Sequence, residues 1–290
     1  MRSTLQILVV ASSLLMAALA NAATATLATV EAVQAPAWLE RAGKRVPLAH
    51  GAALRSGDTV LTGPEARTYL LLADGSRVKL GASARFALHS QSTRPTKVLH
   101  GALDVITGAF RFTSGAIKRA TERNLQIRVG TATIGIRGTD IWGKSGKDRD
   151  IVALLEGQIE VTRSGETLEL AEPMTYLDAP RTGDVLIRPL ESGQMNLWAR
   201  ETEILPGDGA ALQYGHWRIQ VAVASTQEEA LAAYDKLREA GFDARLRPFK
   251  PVEAPDWQYV IYLAGFTDRK EATVVVERLA GLGFTATVKR

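Results

Sequence analysis

The last quarter of the chain is written twice. Trp217-Arg218-Ile219-Gln220-Val221-Ala222-Val223 and Trp257-Gln258-Tyr259-Val260-Ile261-Tyr262-Leu263 are short apolar segments, each opened by tryptophan. Each leads into a stretch with apolar residues at helical spacing: Ala230, Leu231, Tyr234 and Leu237 in the first, Ala272, Val275, Val276 and Leu279 in the second. Each then ends in a Gly-Phe-x-Ala strand start, Gly241-Phe242-Asp243-Ala244 and Gly283-Phe284-Thr285-Ala286. Ser225 or Thr226, and Thr267 or Asp268, are suited to cap the helix N-termini. Gly241 and Gly283 stand where a helix end requires positive φ. Two strand–helix–strand units in tandem predict an α+β, ferredoxin-like βαββαβ domain with both helices on one face of the sheet.

Alternation along the strands sorts the side chains. Ile219, Val221, Val223, Tyr259, Ile261 and Leu263 are expected to face the helices, with Phe242, Ala244, Leu246, Phe284, Ala286 and Val288. The opposite face receives Arg218, Gln220, Ala222, Gln258, Val260 and Tyr262 from the central strands. The outer strands add Asp243, Arg245, Arg247, Thr285, Thr287 and Lys289. A slip of one residue exchanges the two sets.

Ahead of this repeat, from Ala28 to about Leu177, the chain is a series of short strands: Thr59–Thr62, Thr68–Leu72, Val78–Leu80, Leu125–Val129, Ile151–Leu155 and Gln158–Thr162. Gly63-Pro64, Asp74-Gly75-Ser76, Glu156-Gly157 and Ser164-Gly165 separate them as turns. No amphipathic helix interrupts the series. The pattern predicts an all-β sandwich, jelly-roll-like. Pro180-Arg181-Thr182-Gly183 opens a less regular connector. It holds a brief strand at Val185–Ile187, a short helix over Gln194–Glu203 carrying Trp198, and a turn at Pro206-Gly207-Asp208-Gly209.

At the other end, Met1-Arg2 precedes an uncharged run from Leu5 to Ala20 and an Ala20-Asn21-Ala22 cleavage pattern. As a helix that run reaches roughly 24 Å, short of a hydrocarbon core of about 30 Å. It reads as a signal peptide cleaved near Ala22, which places the mature chain in the periplasm. The expected organisation is therefore 1–22 signal peptide, 23–180 β domain, 181–214 linker with a short helix, and 215–290 repeat domain.

Composition narrows the chemistry. With no cysteine, disulfides, thiolate–metal sites and thiol nucleophiles are excluded. His50, His89 and His100 lack ligand spacing and read as surface or strand residues, so no metal and no cofactor is expected. Lys+Arg 35 against Asp+Glu 31 is too even to imply nucleic acid. Gly138-Thr139-Asp140-Ile141-Trp142-Gly143-Lys144-Ser145 matches the letters of a phosphate-binding loop. Such a loop needs a helix after it, whose N-terminal amides hold the phosphates. Here Gly146-Lys147-Asp148-Arg149-Asp150 and a strand follow, which reads as a polar hairpin tip, and no nucleotide is expected. Asp58, Asp74 and Glu156 sit beside glycines as turn residues, Asp140 has no identifiable partner, and there is no G-x-S-x-G elbow, so no catalytic residue is assigned.

Two resemblances add to this reading. Gly51-x-x-Leu54-x-x-Gly57-Asp58-Thr59-Val60-x-Thr62, Leu72-Ala73-Asp74-Gly75-Ser76, Ile134-Gly135-Ile136-Arg137-Gly138-Thr139-Asp140 and Leu155-Glu156-Gly157-Gln158-Ile159-Glu160-Val161 follow in the order of FecR domains. That resemblance implies periplasmic signal reception and a protein partner, although no cytoplasmic segment is seen ahead of the signal sequence. The tail resembles the SPOR, or sporulation-related, repeat through Trp217-Arg218-Ile219-Gln220-Val221, the two Gly-Phe-x-Ala elements and Gly265-Phe266. That resemblance implies binding of peptidoglycan glycan strands stripped of stem peptides, on the open sheet face. Ala222 and Tyr262 depart from the smaller residues usual in the family and add bulk to that face.

Removing the peptide bares a lactyl carboxylate on each muramic acid. Arg218, Arg245, Arg247 and Lys289 are suited to pair with it, Gln220 and Gln258 to bond hydroxyl or amide groups, and Tyr262 to lie on sugar C–H faces. The expected function is a non-enzymatic peptidoglycan-binding protein, acting at division sites, whose β domain binds a second, periplasmic protein. The alternatives are a periplasmic sensor of the FecR type and a cell-wall hydrolase.

Overall fold

The computed structural model describes residues 25–90, 100–115, 124–136, 138–251 and 256–290. The segment read as a signal peptide lies outside the described residues, as do Arg137 and the side chain of His100.

The N-terminal part runs β1 (Ala28–Gln34), β2 (Ala37–Arg41), β3 (Lys44–Pro47), β4 (Ala53–Leu54), β5 (Thr59–Thr62), β6 (Arg67–Leu72), β7 (Arg77–Leu80) and β8 (Arg85–Ser90). It continues with β9 (His100–Thr113), β10 (Asn124–Val129), β11 (Ala132–Ile136), β12 (Asp140–Ser145), β13 (Arg149–Glu156), β14 (Ile159–Arg163), β15 (Glu166–Leu170), β16 (Thr175–Pro180) and β17 (Leu186–Pro189). Helix α1 (Ser192–Thr202) and β18 (Ala210–Leu212) lead to the C-terminal part. That part consists of β19 (Trp217–Ala224), α2 (Gln227–Glu239), β20 (Arg245–Phe249), β21 (Gln258–Phe266), α3 (Arg269–Gly281) and β22 (Thr287–Lys289).

Two sheets enclose one apolar core in the N-terminal part. One has the order β3-β2-β5-β8-β9-β10-β11-β14-β15. The other runs β1-β6-β7-β9-β12-β13-β16-β17. The long β9 belongs to both: His89 pairs with Ala102 in the first sheet, and Phe110 pairs with Gly143 in the second. Gly108 marks the crossing. Its φ is +90°, and a Cβ there would stand 2.5 Å from the Ala84 backbone. Only glycine meets both demands. The all-β expectation is met, but the connection order departs from a jelly roll. Consecutive hairpins alternate with non-consecutive pairings such as β2–β5, β5–β8 and β11–β14, and β9–β10 is parallel.

The letters of the phosphate loop fall on β12 and the β12–β13 hairpin, with strand on both sides, as the hairpin reading requires. Asp140 finds a partner after all: Arg111 donates to both its oxygens at 3.0 and 2.8 Å. Asp58 is buried and takes a two-pronged bond from Arg41 at 2.7 and 2.6 Å plus the Arg55 amide. Asp150, fully buried, is held by Arg181, Ser145 and Thr131. A buried carboxylate without such partners would cost several kcal/mol, roughly 3–5 when one partner is removed. These acids are therefore framework.

The connector is part of the fold. Trp198 of α1 stacks on the buried Trp142 at 4.6 Å between ring centroids and 6° between planes, with Tyr176 edge-on at 5.2 Å. Glu203, just past α1, accepts from Lys79 at 2.6 and 2.7 Å and from Tyr69 Oη at 2.9 Å, while Arg111 lies 3.6 Å away. Burial alone would push this carboxyl up. The bonds from Lys79 and Tyr69 and the charges of Lys79 and Arg111 outweigh it and hold the group below its ordinary value. A depressed folded value stabilises above the unfolded pKa and loses that contribution as pH falls through the folded value. Glu203→Gln is expected to lower stability by about 1–2 kcal/mol at pH 7. The gap between its urea midpoint and the wild type's should shrink as the pH is lowered through the carboxylate range. An equal gap at neutral and acid pH would contradict this assignment.

A cationic sheet face as candidate ligand site

The duplicated tail folds as two strand–helix–strand halves. Thr226 caps α2 by accepting from the Glu229 amide, and Asp268 caps α3 by accepting from the Glu271 amide. The strand order is β20-β21-β19-β22, all antiparallel. Ile219, Val221, Ala230, Leu237, Phe242, Ile261, Leu263, Val275 and Leu279 form a second core between the sheet and its helices.

Register fixes what lies on the other side. Residues directly opposite one another share a face. One row reads Lys289, Arg218, Ala264; the next reads Thr287, Gln220, Tyr262, Arg245; a third reads Val223, Val260, Arg247. Gln258, opposite Phe249, continues beyond them. All seven residues expected at the site, Arg218, Gln220, Gln258, Tyr262, Arg245, Arg247 and Lys289, therefore fall on the face without helices. Arg218, Arg247 and Lys289 are exposed, and Gln220, Gln258, Tyr262 and Arg245 are half-buried.

One pair of residues is exchanged relative to expectation. The β19–β21 register shifts between Gln220 and Ala222, a β-bulge. The extra residue makes Val221 and Ala222 both lean toward the helices and reverses the alternation after them. Ala222 packs against the helix-side core, Ala224 is buried, and Val223 is 47% exposed on the open face. Bulk at position 222 therefore does not narrow the face; Val223 takes its place there. Trp257, missed by strand alternation because it precedes β21, is 57% exposed beside Gln258. Its signal in the sequence was a large aromatic residue repeated at the head of both halves.

The electrostatics of this face differ from those of the sandwich. Arg41, Arg111, Arg149 and Arg181 in the sandwich each hold an aspartate. Among the described residues, no carboxylate lies within ion-pair distance of Arg218, Arg247 or Lys289. Arg218 instead lies over the Tyr262 ring, 5.8 Å from its centroid. Arg245 is the exception. Its guanidinium is 3.5 Å from Asp243 and 3.3 Å from His50 Nε2 of the sandwich. Burial, then the Arg245 charge, push His50 below its ordinary value against the opposing pull of Asp243. His50 is thus a junction residue and not a surface one.

Around that contact the two units are sewn together. β18 pairs with β1 along Ala32↔Leu212 to Gln34↔Ala210 and meets β21 at Ala211↔Phe266. The Ala37 amide donates to Gly241 at 3.1 Å, and Glu271 of α3 accepts from the Gly207 and Gly209 amides. The sandwich thereby abuts one end of the sheet at Arg245 and leaves Arg218, Arg247 and Lys289 open to solvent.

Comparison with known proteins accords with both halves. A family model described as FecR protein matches residues 58–160, and one described as SPOR domain matches residues 213–290. The chain carries a FecR domain followed by a SPOR domain. No curated protein matches it. Two crystal structures of a candidate anti-sigma factor from Parabacteroides distasonis, at 2.50 and 1.65 Å resolution, are similar over 77% of this chain and 90% and 91% of theirs, at 14% identity with TM-scores of 0.42 and 0.41. The acids of the FecR domain named above are engaged with arginines, and among the described residues no cluster of His, Asp and Glu is arranged to hold a metal.

The junction between SPOR and FecR domains turns on Gly265. Its φ is +100°, and a Cβ would stand 2.6 Å from His50 Nε2 and 2.9 Å from the Leu212 carbonyl oxygen. Gly265→Ala should separate the two domains while each stays folded. Limited proteolysis should then cut between residues 203 and 217, where the wild type resists; an unchanged digestion pattern would count against a rigid junction.

Proposed function

We propose that the chain is an exported, non-enzymatic peptidoglycan-binding protein whose SPOR domain takes glycan strands lacking stem peptides. The observation that carries this reading is a set of cations with no acid within reach among the described residues, on a sheet face without helices, beside an aromatic ring and two amides. Each muramic acid without its peptide bears one carboxylate. Arg218, Arg247, Lys289 and the half-covered Arg245 meet it with charge-assisted bonds, the arginines in a planar fork. Gln220 and Gln258 bond hydroxyl or acetamido groups. Tyr262 and Trp257 offer flat faces to sugar C–H groups. The antiparallel order with helices on one side supports the ferredoxin-like reading of this domain.

The domain limits we adopt are 23–180, a connector at 181–214, and 215–290, with a signal peptide at 1–22. No helix among the described residues is long and apolar enough to cross a membrane. The periplasm is the location we assign. The FecR domain is assigned a protein partner in the same compartment. Its match over residues 58–160 also favours a second reading, in which signal reception is primary and the SPOR domain positions the receptor on the wall. Crosslinking from the FecR domain in intact cells separates the two: a regulatory membrane protein as main product selects the second reading.

Co-sedimentation of the mature chain with purified sacculi tests the first. Amidase-treated sacculi should retain it and untreated sacculi should retain much less. Arg218→Ala is expected to weaken retention by about tenfold, the loss of one charge-assisted bond of roughly 1.4 kcal/mol. Its thermal midpoint should stay unchanged, because Arg218 is exposed. Raised salt should weaken binding of the wild type, since exposed charges are screened. Equal retention on both kinds of sacculus would overturn the reading, and clearing of a peptidoglycan gel by the chain would make it a hydrolase.

A further inference from the structure

The outer edge of β17, in the connector, is an open strand edge. β17 pairs with β16 on one side, and among the described residues no strand pairs its other side. Every residue of β17 is exposed, including Leu186 at 46% and Ile187 at 49%. An exposed apolar edge with free backbone groups is a template for another strand.

The backbone parity of this edge is fixed. The Leu190 amide donates to Met174 on the β16 side at 2.7 Å. Counting back by twos, Arg188 and Leu186 also direct their backbone groups to β16, and Ile187 and Val185 direct theirs outward. Pro189 falls on the outward side, where its lack of an N–H breaks no bond to β16.

The sequence here is complementary to itself. Gly183-Asp184-Val185-Leu186-Ile187-Arg188-Pro189, laid antiparallel on a second copy with a two-fold axis at Leu186, sets Leu186 against Leu186, Val185 against Ile187 and Asp184 against Arg188. The outward-facing Val185 and Ile187 then become hydrogen-bonded pairs, as the parity demands. Asp184, Leu186 and Arg188 share one face, so each Leu186 contact is flanked by opposite charges. Asp184 and Arg188 are exposed, Arg188 with only a marginal approach to Asp178 at 4.0 Å. Pro189 meets Gly183, whose φ of +106° turns the chain away, and pairing ends there.

We propose that the protein self-associates through β17, two copies joining edge to edge into one continuous sheet with Asp184 of each copy paired to Arg188 of the other. A strip this short places the interface at the small, transient end of the range, below about 1,200 Å². Association is therefore concentration-dependent and salt-sensitive.

Analytical ultracentrifugation of the mature chain at low salt tests it over a concentration series reaching about 1 mM, where an association worth only about 4 kcal/mol still shows. The wild type should show a monomer–dimer equilibrium. Asp184→Lys and Arg188→Asp should each weaken it at least tenfold, since each sets like charges opposite one another. An equimolar mixture of the two single variants should restore dimer. In the mixed pair the introduced lysine faces the introduced aspartate, and the native Asp184 of one copy still faces the native Arg188 of the other. Ile187→Pro, which removes only an outward N–H, should also give monomer with an unchanged circular dichroism spectrum. A wild type that stays monomeric throughout overturns the proposal. So does a dimer that survives the single variants, or a mixture that stays monomeric.

Discussion

Charge without a counter-charge is the condition on which this structure turns. A sheet with both helices on one side must leave its other side to solvent or to a ligand. In this chain that side carries Arg218, Arg247 and Lys289 with no acid within reach among the described residues. Exposed cations are readily kept in water and contribute little to folding, about 0–1 kcal/mol even when paired. Their arrangement over two rows, with Tyr262 beneath Arg218, is thus of little use to stability and available for an anionic polymer.

The FecR domain shows the opposite use of the same residues. Its arginines are turned onto Asp58, Asp140, Asp150 and Asp178, and the α1 segment is fastened down by Glu203 and by the Trp142–Trp198 stack. The result is a stiff body joined to the SPOR domain by β18, which pairs with a strand of each. Because the junction sits at the Arg245 end of the sheet, the FecR domain borders the cationic face and does not cover it.

Much of this was legible in the residues. The duplication set the order of elements in the tail, and alternation put Arg218, Gln220, Tyr262 and Arg247 on the open face because β20 and the run from Arg218 to Gln220, between the two register shifts of β19, keep a regular pairing. The Val223 assignment failed at a bulge, a one-residue event that leaves no mark on hydrophobic pattern. His50 and Asp140 were unreadable for another reason. Their meaning lies in partners far along the chain, Arg245 and Arg111, and sequence spacing carries no information about such pairings. The connector was underestimated in the same way. Its strand and helix look irregular alone and are ordered by what they pack against, Tyr176 and Trp142.

The central claim is that polymer binds the face opposite α2 and α3. Chemical-shift mapping of the isotope-labelled mature chain, titrated with muramic-acid oligosaccharides free of stem peptide, addresses it directly. The account predicts saturable shifts at Arg218, Gln220, Tyr262, Trp257 and Lys289, with the outward helix residues Glu228 and Lys236 silent. Shifts confined to the helices or to the FecR sheets, or none at all with a glycan that sacculi display, would contradict it.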